Sequence, residues 1–176
     1  MKRNGPRIII NTGDGKGKTT AALGLALRAF GHGMKVMIVQ FVKADKKTGE
    51  LAAAARMPGV EILQTGLGFV PKPDSPDYEK HRQYAEEGLR LAGRALSGDA
   101  YDVVILDEIC TALALGLLNE DDVVAALKAA PEASIIVLTG RSATKELIDL
   151  ADTVTEMCCI KHGFNAGIPA EEGVEW

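Results

Sequence analysis

The chain has 176 residues, 47% of them hydrophobic and 25% charged, and a formal net charge of −4. This length and balance suit a folded domain that buries its own core without covalent staples. The slight acidity excludes a nucleic acid or an anionic membrane held by charge alone. A phosphate can still be held locally, by backbone N–H groups and a few placed cations.

Three cysteines, Cys110, Cys158 and Cys159, show neither CxxC nor Cys/His metal spacing, and their odd number does not suit a disulfide framework. They are expected to be buried structural thiols in a reducing compartment. The segment Met1 to Pro6 leads straight into a short apolar strand, too short for a signal peptide, and no run of about 18 apolar residues occurs. A cytoplasmic protein without a membrane partner is expected.

In chain order, Arg7 to Asn11 is a β-branched run bounded by Pro6 and glycines, and reads as a buried strand. From Thr19 the pattern becomes helical through Leu23, Leu27 and Phe30, and Gly31-His32-Gly33 ends it. Val36 to Val42 is a second apolar strand, so residues 7–42 form a βαβ unit of a parallel sheet covered on both faces. A helix follows from about Gly49, then a strand over Val60 to Gln64. Gly66 to Pro76, rich in glycine and proline, is a long loop of the kind that carries function. Ser75-Pro76 opens a helix whose apolar stripe is Ala85, Leu89, Ala92 and Leu96. Tyr101 to Leu106 is a buried strand ending in Asp107-Glu108. A helix runs from Asn119 to about Ala129, a strand over Ser134 to Leu138, a short helix near Thr144 to Leu150, and a last strand over Thr153 to Ile160. The tail from His162 to Trp176 is mostly irregular. With no repeat, linker or low-complexity tract, one α/β domain spanning 1–176 accounts for the whole.

The sequence Gly13-Asp14-Gly15-Lys16-Gly17-Lys18-Thr19 joins the first strand to the first helix. Glycines let the backbone turn and approach an anion, successive N–H groups point inward, and the helix N-terminus adds positive potential. Lys18 supplies a point charge and the Thr19 hydroxyl can ligate magnesium. The usual phosphate-loop spacing puts a glycine at position 12, where this chain has Thr12, with the glycine one place later. The dinucleotide fingerprint fails on spacing.

Asp107 and Glu108 end a strand, and strand C-termini of a parallel sheet face the ligand crevice, where carboxylates can hold magnesium. A solvated acidic strand end is the alternative. Arg141, just past another strand, suits a phosphate contact or a surface salt bridge. His32, His81 and His162 are isolated and carry no ligand spacing. Lys161-His162 precedes a glycine from which a substrate could be reached.

The blocks Thr12 to Ala22, Ala26 to Ala29, Gly31 to Gly33, Val39 to Lys43, Leu106 to Ile109, Leu138 to Arg141, Leu150 to Met157 and Lys161 to Gly167 together resemble the ATP:corrinoid adenosyltransferases of cobalamin synthesis and salvage. The resemblance spans nearly the whole chain, and threonine at position 12 is itself a mark of that family. It implies a single phosphate-loop NTPase-like (RecA-like) domain with a mostly parallel central sheet and helices on both faces. It also implies transfer of the 5′-deoxyadenosyl group of ATP to the reduced cobalt of a corrinoid, with release of triphosphate.

By the same resemblance, Gly13, Asp14, Gly15, Lys16, Gly17, Lys18, Thr19, Thr20, Arg28 and Arg141 bind the nucleotide, with Lys18 and Arg141 catalytic. Thr19 and Glu108 hold magnesium. Phe69, in Thr65 to Phe69, packs against the corrinoid or, on a plainer reading, fills core; Leu67 stands where another aromatic is common. A homodimer and an electron-donating flavoprotein are the implied partners. Because the sequence begins just before its first strand, the resemblance implies a corrinoid site that is more open or is closed by a partner chain. A generic nucleotide hydrolase or kinase, and a nucleotide-dependent switch, are the competing functions.

Overall fold

Alternation along the strands decides how this chain folds. In the central strands, residues one apart point to opposite faces, and both faces are apolar, so each strand must be covered on two sides. The computed structural model describes residues 5–175. It contains β1 (Arg7–Thr12), β2 (Val36–Gln40), β3 (Val60–Gln64), β4 (Val103–Asp107), β5 (Ile135–Thr139) and β6 (Thr153–Glu156). They form one sheet in the order β3-β2-β4-β5-β1-β6, with every neighbouring pair parallel. The expected α/β phosphate-loop architecture is what the chain adopts.

One face carries Val36, Ile38, Val103, Ile105 and Val137, packed against Ala22, Ala26 and Ala29 of α1 (Lys18–Gly31) and Ala54 of α2 (Gly49–Ala54). Alanines at these positions let α1 lie close to the sheet. The other face carries Ile8, Ile10, Val39, Leu106, Ile136 and Leu138. It is covered by α3 (Tyr78–Ser97), α4 (Ile109–Ala114), α5 (Glu120–Lys128) and Leu147 of α6 (Lys145–Leu150). A residue such as Leu138, fully buried, contributes about 1.5–3 kcal/mol by leaving water. These two layers hold the C-terminal ends of all six strands at one edge.

Several boundaries differ from expectation for physical reasons. β2 stops at Gln40, and the Val42 carbonyl accepts the Gly68 N–H at 2.8 Å, so the chain there serves the following loop. β6 stops at Glu156 because Met157 leaves the sheet to meet the phosphate loop, its carbonyl accepting the Gly15 N–H at 2.6 Å. α3 begins at Tyr78 with Asp77 as its N-cap, not directly after Pro76. α4 was not foreseen; it starts from Glu108 in the left-handed conformation, which no capping residue advertises. The tail contains one 3₁₀ turn, Gly163–Ala166, whose first N–H groups include Phe164, bonded to His162 Nδ1. Asn119 and Thr144 cap α5 and α6 through their side chains, as their residue types invite. Of the cysteines only Cys110 is buried; Cys158 and Cys159 are exposed on the segment past β6, contrary to expectation.

Candidate active site

The loop between β1 and α1 sits at the C-terminal edge of the sheet, and its glycines are required there by contact. Gly13 has φ 95°, and a Cβ on it would lie 2.5 Å from the Met157 carbonyl oxygen; one on Gly15 would lie 2.7 Å from the same oxygen. No side chain fits where this segment crosses the loop. Thr12, by contrast, is still in the sheet. Its carbonyl accepts the Met157 N–H at 2.8 Å and its Oγ1 accepts the Ala143 N–H at 3.1 Å. The displaced glycine of the motif therefore follows from where Met157 passes, and Thr12 anchors the strand end.

Gly17, at φ 117°, caps α1 without a side-chain bond, which leaves the helix N-terminus turned toward the loop as an anion site. Lys18 is buried, and its ammonium donates to the carbonyls of Gly13 and Gly15, both at 2.7 Å, holding the loop curled. Asp14 and Arg141 meet above the loop as an ion pair, Nε to Oδ1 3.7 Å, with both side chains mainly exposed. Such a pair is cheap to break, so the guanidinium can turn to a phosphate. Lys16 is engaged elsewhere: its ammonium donates to the Val174 carbonyl at 2.8 Å and pairs with Glu175 at 3.1 Å.

The acidic pair after β4 divides its work. Asp107 is buried and collects donors at the sheet edge. Its Oδ1 accepts Thr19 Oγ1 at 2.8 Å and Thr139 Oγ1 at 2.7 Å; its Oδ2 accepts Gln40 Nε2 at 3.1 Å. Glu108 has φ 65° and ψ 21°, a left-handed backbone that a non-glycine residue adopts at a cost of about 1–3 kcal/mol and that clusters at functional positions. Its N–H donates to Thr139 Oγ1 at 2.9 Å, and its carboxylate accepts the Thr111 hydroxyl. Thr111 Oγ1 in turn accepts the Arg141 N–H at 3.0 Å, linking the two predicted residues through the backbone. Glu108, Lys18 and Thr19 line one groove of about 700 Å³ that runs from the loop between α1 and α2, past Leu23 and Met57. The hydroxyl of Thr19 and these carboxylates are hard oxygen donors, the set a magnesium ion takes.

Lys43 lies at the same edge, 2.9 Å from Glu50 Oε1 and 3.6 Å from Asp107 Oδ2. Burial pulls its ammonium pKa down, but Asp107, Glu50 and Glu108 outweigh burial and hold it above the usual lysine value. For Glu50, burial pushes upward, while Lys43 and Gln40 prevail and hold the carboxyl below its usual range. Cys110, next to this edge, has its thiol pushed up to about 12, by burial first and Glu108 second.

The structure thus brings Gly13 to Thr19, Glu108 and Arg141 together, and Thr20 lines the same groove. Arg28 is not at the loop. It is exposed on α1, one residue beyond Leu27 at the far end of the groove, roughly 14 Å along the helix axis from Thr19. Phe69 is 93% exposed, which excludes the core role. Sequence reasoning missed Gln40, Lys43 and Thr139, which the rule that found Asp107 would have found at the ends of β2 and β5. Glu50 and Thr111 carry no sequence signal.

The chain matches the family described as ATP:corrinoid adenosyltransferase BtuR/CobO/CobP over residues 4–176. It is 41% identical over 170 residues to a corrinoid adenosyltransferase of Pseudomonas aeruginosa, spanning 96% of this chain and 83% of that one. It is 39% identical over 169 residues to a corrinoid adenosyltransferase of Escherichia coli K12, spanning 96% and 85%. In fold it is similar to the flagellar accessory protein FlaH of Methanocaldococcus jannaschii, with a TM-score of 0.58 and 16% identity over 86% of this chain and 70% of that one. That likeness speaks to the fold alone. With a family match along nearly its whole length and a phosphate loop built as described, this chain belongs to the ATP:corrinoid adenosyltransferases.

Proposed function

We propose that this enzyme transfers the 5′-deoxyadenosyl group of ATP to the reduced cobalt of a corrinoid substrate and releases triphosphate. The electron pair of doubly reduced cobalt forms the bond to C5′, the C5′–oxygen bond breaks, and its electrons leave on the triphosphate. No general base is needed. The protein's contribution is to fix the 5′ carbon in line and to stabilise the leaving group's charge.

The observation that carries this reading is a phosphate loop with a buried Lys18, in a chain matched to the family over residues 4–176. Lys18 turns from the loop carbonyls to the polyphosphate, and Arg141 leaves Asp14 to join it. Backbone N–H groups between Gly13 and Thr20, other than that of Gly15, which Met157 holds, cradle the remaining oxygens. Thr19 and Glu108 are the residues that would hold magnesium, which when bound neutralises part of the polyphosphate charge. Phe69, exposed on the loop that follows β3, offers its ring to the flat corrinoid face. Since the cobalt must arrive doubly reduced, an electron-donating flavoprotein belongs to the reading. A homodimer and a cytoplasmic setting are part of the same proposal. Among the described residues no helix is long and apolar enough to cross a membrane.

The test is the identity of the phosphate product. With ATP, magnesium and reduced corrinoid, phosphorus NMR is expected to show inorganic triphosphate in step with adenosylated corrinoid. Orthophosphate or diphosphate as the first product overturns the reading in favour of a hydrolase or kinase.

A further inference from the structure

The ammonium of Lys43 occupies a position that the phosphate loop's own chemistry does not explain. It projects from just past β2 and lies between two carboxylates, Glu50 of α2 at 2.9 Å and Asp107 of β4 at 3.6 Å. Asp107 is almost wholly buried, and two hydroxyls and one amide donate to it. A buried carboxylate is costly unless its charge is answered as well as hydrogen-bonded. Lys43 is the cation that answers it. Through Asp107 the effect reaches Thr19, whose hydroxyl is fixed by the Asp107 bond at 2.8 Å.

The other side of Lys43 reaches the groove wall. Glu50 stands in the first turn of α2 and is held by Lys43, with Gln40 Nε2 at 3.4 Å. Ala53 and Met57, from α2 and the turn after it, line the groove that also contains Lys18, Thr19 and Lys43 itself. One ammonium therefore ties the loop's threonine, the end of β4 and α2 to one another.

We propose that Lys43 is a positioning residue of the nucleotide site, setting the Thr19 hydroxyl through Asp107, with Glu50 holding its ammonium in place. The inference rests on the Gly13 to Thr19 loop being the nucleotide site. It makes a distinction that a direct phosphate contact would not. A lysine on the phosphates strengthens nucleotide binding whether or not magnesium is present. A lysine acting on the Thr19–Asp107 pair matters most for binding that depends on the metal.

The test uses the full chain, with Lys43→Met to remove the charge while keeping most of the stem, and Lys43→Arg to restore it. ATP binding is measured by calorimetry with magnesium and with chelator, and adenosyl transfer separately under reducing conditions. For Lys43→Met, the gain in ATP affinity on adding magnesium is expected to shrink about 10-fold or more, within the range for residues behind a metal's own ligands. Affinity in chelator is expected to stay within about three-fold, and Lys43→Arg to recover most of the lost gain. An unchanged magnesium gain overturns the proposal, as does an equal loss of affinity in both conditions. If Lys43→Met does not fold, the pair Lys43→Met with Glu50→Gln leaves no unpaired carboxylate on α2 and carries the same expectations. Failure of the unaltered chain to bind ATP would instead overturn the nucleotide site itself, so the two outcomes are distinct.

Discussion

Replacing Gly13 by alanine tests why the glycine of the phosphate loop sits where it does. The added Cβ would stand 2.5 Å from the Met157 carbonyl oxygen, 2.9 Å from the Met157 nitrogen and 2.9 Å from Glu156 Cγ. Two of these atoms are backbone, so the segment after β6 must move. That movement breaks the bonds Met157 N–H to Thr12 and Gly15 N–H to Met157, now 2.8 and 2.6 Å. At about 1 kcal/mol each, these contribute about 2 kcal/mol. The positive φ adds about 1–2 kcal/mol for a residue with a Cβ. Gly13→Ala should therefore destabilise the chain by roughly 3–4 kcal/mol. The loop it deforms also supplies the two carbonyls that hold Lys18, so ATP binding should weaken at least as strongly as stability. Urea unfolding followed by circular dichroism gives the first quantity and calorimetric ATP titration the second. A variant within about 0.5 kcal/mol of the parent, binding ATP normally, would refute the argument that Met157 dictates the glycine.

Lys18→Ala is expected to abolish adenosyl transfer while the unfolding transition stays cooperative; retained turnover contradicts the loop's assignment. Phe69→Ala, at a position 93% exposed, should leave stability within about 0.5 kcal/mol yet raise the corrinoid KM about 10-fold with little change in the KM for ATP. A stability loss without a corrinoid effect would return Phe69 to a packing role. A thiol reagent at pH 8 should titrate two cysteines per native chain, Cys158 and Cys159, and all three only after unfolding. The Cys110 pKa of about 12 leaves it as unreactive thiol at that pH, so fast modification of a third site would contradict the burial.

The sheet was legible because its strands are continuous apolar runs between glycine and proline punctuation, a pattern that buried parallel strands share. Local caps at Asn119 and Thr144 fixed two helix starts for the same reason: one side chain does the work. Less could be read where distant segments meet. Nothing local says that β6 must end at Glu156, because Met157 leaves the strand to serve a loop more than a hundred residues earlier. Nor does anything local open α4, whose first turn hangs on Glu108 in a left-handed conformation. The loop's lysine and threonine were visible as a motif, and Arg141 by its place just past a strand. The charge network that steadies them, Gln40 and Lys43 with Glu50 and Asp107, is assembled from three elements and needed the register of β2 on β4 to appear. Arg28 lies inside a matching block, and its place in the last turn of α1 sets it about 14 Å along the helix axis from Thr19.

The most direct test of the central claim is anaerobic incubation of the chain with ATP, magnesium and chemically reduced cobalamin, followed by its visible spectrum. The account predicts loss of the reduced-cobalt bands, appearance of a light-sensitive cobalt–carbon spectrum and one triphosphate for each adenosyl group transferred. Consumption of ATP without any cobalt–carbon bond, or reduced cobalamin that persists unchanged beside the loaded protein, would contradict it.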